Sequence, residues 1–353
     1  MKNIFKHFSP EQIREVFLVI IIFLVVFIFS TLIPNYINAT FINRLSTSVA
    51  VIGVLAVAQT LVFLTRNFDL SLGSIVGVAS YILGQQLWWH SEIHPLMGVA
   101  MAIGIGIIMG AINGVLIAFG RVPSIITTIG TLAIFRSFLV VYSKAVPITT
   151  NLLPDWIVNL NQISLFSFNG FEFRILFGIM LVVGIIFQLI LKHHRFGRRL
   201  YAIGSNPSAA QIAGFPDRRI VFLAFIISGA LGGLAGFMYL SRYGNIMVLS
   251  GIGLEFAAIA AVVVGGVSNS GGSGTIIGAF LGTILIDLME NSLYRTMAVS
   301  EFWRDAILGM MILLAVAVDY LVIGRLRKMW VRAGFQMDSD KSQQKIEDAS
   351  HVE

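Results

Sequence analysis

The sequence predicts an all-α integral membrane protein of about ten transmembrane helices, and three observations carry that prediction. Of 353 residues, 57% are hydrophobic and only 12% charged, against about 25% charged in a soluble domain. Apolar stretches close to the ~20 residues that span a bilayer recur at 16–33, 45–64, 70–89, 96–119, 122–142, 173–191, 220–241, 254–267, 275–294 and 302–323. Glycine-rich polar breaks interrupt them, and irregular backbone survives in a bilayer only where protein buries it or it lines a wet cavity.

At the N-terminus, residues 1–15 carry Lys2, Lys6 and Arg14 ahead of the first apolar run. That run exceeds the ~7–15-residue core of a signal peptide and no small-x-small cleavage pattern follows, so it reads as an uncleaved first span. With the N-terminus inside, seventeen Lys and Arg fall in inner segments. Outer segments hold only Arg44, Lys144, Arg242 and Arg295, with Arg174 and Arg304 at outer helix ends. This asymmetry follows the positive-inside rule and puts both termini in the cytoplasm. Residues 16–324 then form one membrane domain. The tail at 325–353 is polar, mixed in charge and disordered in composition.

The inner loop at 192–219 contains the signals of one short helix. Asn206 is an N-cap, Pro207 suits the first helical position, and Gly214 followed by Pro216 supplies the stop. Ala209, Ala210 and Ile212 lie between, on a short element placed for contact with something in the cytoplasm. The adjacent pair His193-His194 sits beside Lys192 and Arg195 and reads as a basic interfacial cluster, since a metal site needs more ligands.

A weak internal repeat appears at an offset of 201 residues, which lays Gly73-Ser-Ile-Val-Gly77 on Gly274-Thr-Ile-Ile-Gly278. Each segment follows an apolar run ending in a polar break, at 66–73 and 265–274. Interrupted spans at matching places in two halves point to a transport pathway; two inter-helix turns at the membrane face are the other reading. Ionisable residues at membrane depth are Asp69, Arg136, Glu255, Asp287, Glu290 and Asp319, each costly there without a partner. Asp69 and Glu255 flank the breaks and, with Ser71, Asn113, Ser268, Asn269 and Ser270, form the candidate pathway. Helix packing is written in small residues at four-residue spacing: Gly106, Gly110 and Gly114; Gly229 with Gly233; Gly232 with Gly236; Gly278 with Gly282.

The composition also excludes. With zero cysteines there is no thiolate metal site, disulfide or cysteine nucleophile. No Gly-x4-Gly-Lys-Ser/Thr sequence, His-Glu-x-x-His pair or Gly-x-Ser-x-Gly elbow occurs, so no cofactor or catalytic set is expected on this chain. The net charge of +6 is topological and gives no reason to expect a nucleic-acid partner.

Seven runs in order, Asp69-Leu-Ser-Leu-Gly-Ser74, Asn113-Gly-Val-Leu-Ile117, Val122-Pro-Ser-Ile-Ile-Thr-Thr-Ile-Gly-Thr-Leu132, Phe196-Gly-Arg-Arg-Leu-Tyr-Ala-Ile-Gly204, Ala209-Ala-Gln-Ile-Ala-Gly214, Ala258-Ile-Ala-Ala-Val-Val-Val-Gly-Gly266 and Gly271-Gly-Ser-Gly274, resemble the permease subunits of bacterial ABC importers for small sugars. The likeness covers about 45–320. Departures are Arg66-Asn67-Phe68 where the family commonly has Gly-Gly-Ile, and Arg136-Ser137 where it has Arg-Gly.

The resemblance implies a multi-pass protein of the bacterial cytoplasmic (inner) membrane, paired with a second permease copy or paralogue. It also implies a cytoplasmic ATPase subunit that holds ATP and magnesium, and an extracytoplasmic sugar-binding protein. The imported molecule would be a pentose, a deoxyhexose such as rhamnose, or a sugar-like autoinducer, and the segment around Ala209, Ala210 and Gly214 would couple to the ATPase. An ion-coupled secondary transporter and a non-transporting scaffold are the rival readings, and a co-purifying ATPase discriminates among the three.

Overall fold

A computed structural model describes residues 10–297 and, beyond them, 303, 306, 309–311 and 313. Nine of the ten expected spans coincide with helices. These are α1 (Pro10–Leu32), α2 (Ala39–Phe63), α3 (Leu72–Trp89), α4 (Pro95–Gly114), α5 (Ser124–Ser143), α7 (Ile175–His193), α10 (Asp217–Tyr243), α11 (Leu254–Val264) and α12 (Ile276–Met297). Between them lie α6 (Asp155–Leu160), α8 (Arg195–Ser205), α9 (Pro207–Ile212) and one hairpin, β1 (Ser164–Phe168) with β2 (Phe171–Arg174). The tenth expected span, 302–323, falls mostly outside the described residues, and Asp319 and the 325–353 tail fall wholly outside them.

By length and apolarity, seven of the described helices can cross a membrane: α1, α2, α4 with its continuation to Phe119, α5, α7, α10 and α12. The expectation of about ten spans is cut back at α3 and α11, which fall outside that set, and α11 has only 11 residues. At 1.5 Å per residue it extends about 16 Å, roughly half a ~30 Å hydrocarbon core. Gly251 and Gly253, both left-handed at φ +83° and +85°, hold residues 244–253 out of the helix. α11 begins where the apolar run 254–267 begins and stops at Val264, where Gly265 and the left-handed Gly266 start the turn. The irregular segment that leads into α11 is thus 244–253, while 265–274 is the turn between α11 and α12.

α2 is the central helix: 89% of its apolar window is buried, against 11% for α1. α10 packs on α2, α3 and α4, and glycines decide how closely. A Cβ on Gly106 would sit 2.0 Å from Gly229 O, one on Gly110 2.3 Å from Phe225 O, and one on Gly233 2.1 Å from Ala102 O. The Gly229/Gly233 face thus meets α4, with Gly114 reaching Phe222, while Gly232 and Gly236 face Ile75 and Ala79 of α3. Gly278 and Gly282 bring α12 against the Gly265 and Ala261 carbonyls of α11. Backbone approach of this kind lets helices associate where lipid supplies no hydrophobic drive.

Candidate functional site

Residues 66–71 leave α2 and run back along it before α3 begins. Their backbone groups have no helix to satisfy them, and polar side chains of α2 and α5 do so instead. Phe68 N–H donates to Ser124 Oγ at 3.1 Å, and Thr128 Oγ1 donates to Phe68 O at 3.4 Å. The Gln59 amide, with its nitrogen toward Asp69 O (3.2 Å) and its oxygen toward Asp69 N (3.3 Å), pairs both backbone groups of that residue. In a bilayer such groups cost several kcal/mol when unpaired, which accounts for Gln59, Ser124 and Thr128 on otherwise apolar helices.

The Asp69 side chain is completely buried. Ser71 donates its backbone N–H (3.1 Å) and its hydroxyl (2.7 Å) to Oδ1, and Ser228 of α10 donates to Oδ2 at 3.0 Å. Asn113 of α4 donates Nδ2 to Ser71 Oγ at 2.7 Å. Its Oδ1 is buried and has no hydrogen-bond partner among the described residues. After Gly114 the helix widens into a π turn, Val115–Phe119, a feature that recurs at functional sites. Ser228 stands about 16 Å along α10 from Asp217, so α3 begins deep within the bundle.

α11 begins beside it. A Cβ on Gly73 would lie 1.9 Å from Glu255 Oε2 and 2.4 Å from Gly251 O, so the first turns of α3 and α11 touch. Glu255, 5% exposed, accepts from Gly253 N–H at 3.3 Å. Two carboxylates at two helix N-termini match the partial positive charge there. Arg136 of α5 holds the segment before α11, donating Nη1 to Val248 O (2.8 Å) and Ser250 O (2.7 Å). Asp287 lies apart, taking Ser48 of α2 and Asn291 as donors.

The cytoplasmic loop of the sequence reading is two helices rather than one. α8 is capped by His194, whose Nδ1 accepts from Phe196 N–H at 3.2 Å. Its Leu200, Ile203 and Gly204 are buried, with Arg195 and Arg198 exposed. Asn206 Oδ1 then accepts from Ala209 N–H at 3.0 Å to start α9, with Pro207 in the first turn. Gly214 at φ +75° ends the turn. Ala210 points inward, 4% exposed, whereas Ile212 is 89% exposed, and Ala209 and Gly214 are also on the surface.

Both breaks meet this loop. Gly272 N–H donates to Leu64 O at 3.2 Å. Arg66 donates Nε to Gly204 O and Nη2 to Ser205 O (2.8 Å). Ser205 Oγ reaches Gly272 O at 3.3 Å and Tyr201 OH reaches Gly274 O at 2.7 Å. On the other side of the second break, Arg14 donates to Gly266 O and Thr275 to Glu15.

Of the residues singled out from sequence, Asp69, Ser71 and Asn113 form one hydrogen-bonded group, with Glu255 against the adjoining turn. Ser268, Asn269 and Ser270 stand elsewhere, in the turn at the α8 end. Residues that sequence reasoning missed are Gln59, Ser228, Ser124, Thr128 and the Arg66 contacts. The one available signal was the presence of polar residues on apolar helices.

At the opposite end of α2, a cavity of about 410 Å³ is lined by Asn43, Arg44, Glu172, Arg174, Arg242 and Tyr243, among others. Arg174 pairs with Glu172 at 3.0 Å, and the Arg242 guanidinium lies 4.8 Å from the Tyr243 ring centre. The hairpin is fastened there by Asn43, which donates to Gly170 O at 3.0 Å and accepts from Glu172 N–H at 2.9 Å.

Residues 41–316 match the family model described as branched-chain amino acid transport system / permease component. The chain is 31% identical over 324 residues to the ribose import permease protein RbsC of Escherichia coli K12, an alignment covering 89% of this chain and 96% of that protein. It is 34% identical over 297 residues to the autoinducer 2 import system permease protein LsrC of Salmonella typhimurium LT2, covering 83% of this chain and 80% of that protein. No solved structure matches the chain.

Proposed function

From the fact that this chain belongs to the branched-chain amino acid transport system / permease component family, we propose that it is the transmembrane subunit of an ABC importer for a small neutral sugar. The relatives named for ribose and autoinducer 2 import support a pentose or a sugar-like autoinducer as cargo. Its partners are a second permease copy or paralogue, a cytoplasmic ATPase that binds ATP and magnesium, and an extracytoplasmic sugar-binding protein. The observation that carries the reading is α9: a capped six-residue helix whose Ile212 is presented to the surface, between two membrane helices.

The path runs beside the N-termini of α3 and α11. Asp69 and Ser71 set the wall there, and the unpartnered Oδ1 of Asn113 is an acceptor suited to a sugar hydroxyl in a state where this wall opens. Ser268–Ser270 line the cytoplasmic exit. The arginine-lined cavity at the far end of α2 faces the side from which the binding protein delivers. Closure of the ATPases pushes on α9 and rocks the bundle between outward and inward openings.

The test is uptake of radiolabelled ribose and autoinducer 2 by proteoliposomes holding the permease, its ATPase and its binding protein. Uptake that requires both ATP and the binding protein is expected. Uptake driven by a proton or sodium gradient without an ATPase would refute the proposal.

A further inference from the structure

Arg66 is the residue on which three separated segments converge. It follows α2, and its guanidinium forks onto the carbonyls of Gly204 and Ser205, the last two residues before the Asn206 cap of α9. Its aliphatic stem occupies the space that a Cβ on Gly271 would fill, 2.5 Å from Arg66 Cγ. The chain approaches as closely on the other sides. A Cβ on Gly204 would lie 1.8 Å from Leu64 O and 2.5 Å from Gly272 N, and one on Gly272 2.4 Å from Ser205 N. These are backbone contacts, which cannot yield by a rotamer change.

Arg66 itself is held at φ +65°, a left-handed conformation that an L side chain rarely adopts. Glycine is the usual residue at such a position, so an arginine there is retained at some conformational cost. Locally this is the left-handed cap that ends α2, with Arg66 N–H on Phe63 O at 2.9 Å and Asn67 N–H on Val62 O at 3.2 Å. The same turn carries the side chain whose fork reaches residues 204 and 205. With the Gly272–Leu64 bond and the Tyr201–Gly274 bond, it joins the end of α8, the α2–α3 break and the α11–α12 break into one junction.

We infer that Arg66 is a positioning residue that transmits displacement of α9 to both breaks at once, so that the segment leading to Asp69 and the turn at 268–274 move together. This rests on the ABC-permease reading, because it takes the ATPase as the source of the displacement. A guanidinium suits the role: its planar fork reaches two carbonyls, where a lysine offers one compact ammonium. Thermodynamically the junction couples only if the two states differ in these contacts.

The chain contains no cysteine, so Asn269→Cys, an exposed position in the second break, can carry a single bimane label. The complex with the partner ATPase is trapped with ATP and vanadate, and label emission and trapped nucleotide are both measured. With Arg66 intact, trapping shifts the emission. With Arg66→Gly, which removes the fork while leaving a residue at ease at φ +65°, the shift falls by about fivefold or more at unchanged trapped nucleotide. Arg66→Lys restores part of it. Tyr201→Phe removes a single hydroxyl and lowers the shift by about half if the junction acts as a unit, so the idea stays testable should Arg66→Gly not assemble. An unchanged shift in Arg66→Gly or Tyr201→Phe, or no shift with Arg66 intact while nucleotide is trapped, overturns the inference. Failure to recover any ATPase with the chain would instead overturn the importer reading.

Discussion

Ser228 donates its hydroxyl to Asp69 Oδ2 at 3.0 Å, although 159 residues separate the two. The bond ties α10 to the segment that interrupts α2 and α3. Asp69→Ala removes the acceptor for three donors, two from Ser71 and one from Ser228. Each buried group left unpaired costs about 1–3 kcal/mol. Thermal unfolding of the detergent-purified permease is expected several degrees lower in Asp69→Ala, with a smaller loss in Ser228→Ala. Equal stability of all three proteins would contradict the network.

Glycine at 106 is required by contact. A Cβ there meets Gly229 O at 2.0 Å, whereas Gly104 on the same helix has nothing within 4 Å. Overpacking of this kind costs about 1–3 kcal/mol, while Gly→Ala in an open helical position gains about 0.5–1 kcal/mol. Gly106→Ala should therefore lower the yield of folded permease on size-exclusion chromatography, and Gly104→Ala should leave it level or raise it.

Arg136 is the sole described side chain seen donating to Val248 O and Ser250 O. Arg136→Met leaves these carbonyls unsatisfied and should loosen 244–253. Limited proteolysis near Asn245 should accelerate in Arg136→Met and less so in Arg136→Lys, which keeps one donor group. Identical digestion rates would show that the segment holds itself.

The Asn206 cap is local and separable. Asn206→Ala removes the acceptor of Ala209 N–H and should destabilise α9 by about 1 kcal/mol, seen as faster amide exchange at 207–212. Asn206→Asp, which keeps the acceptor, should exchange like the native chain.

What was legible in the sequence was local. Apolar runs long enough to span located nine helices, and Asn206, Pro207 and Gly214 announced α9, because caps and stops act over a few residues. Glycine spacing named the faces of α4 and α10 but not which partner each would meet. The start of α11 at 254 and the break that follows it were legible; the path of residues 244–253 was hidden, because the left-handed glycines at 251 and 253 act through backbone angles. α8 was missed because its buried face, Leu200 and Ile203 with Gly197 and Gly204, is small beneath its arginines. Ser228, Gln59 and Ser124 could not be paired with the 66–71 segment, since their partners lie far away in sequence and only the folded bundle brings them together.

The central claim is that α9 is the surface on which an ATPase acts, and Ile212, 89% exposed, is its most exposed apolar side chain. The most direct measurement is recovery of the ATPase chain with affinity-purified permease, comparing the native protein with Ile212→Asp at matched membrane levels. Stoichiometric ATPase with the native chain, falling about tenfold or more in Ile212→Asp as expected for a central apolar contact, is the predicted result. Equal recovery with both proteins, or none with either, would contradict it.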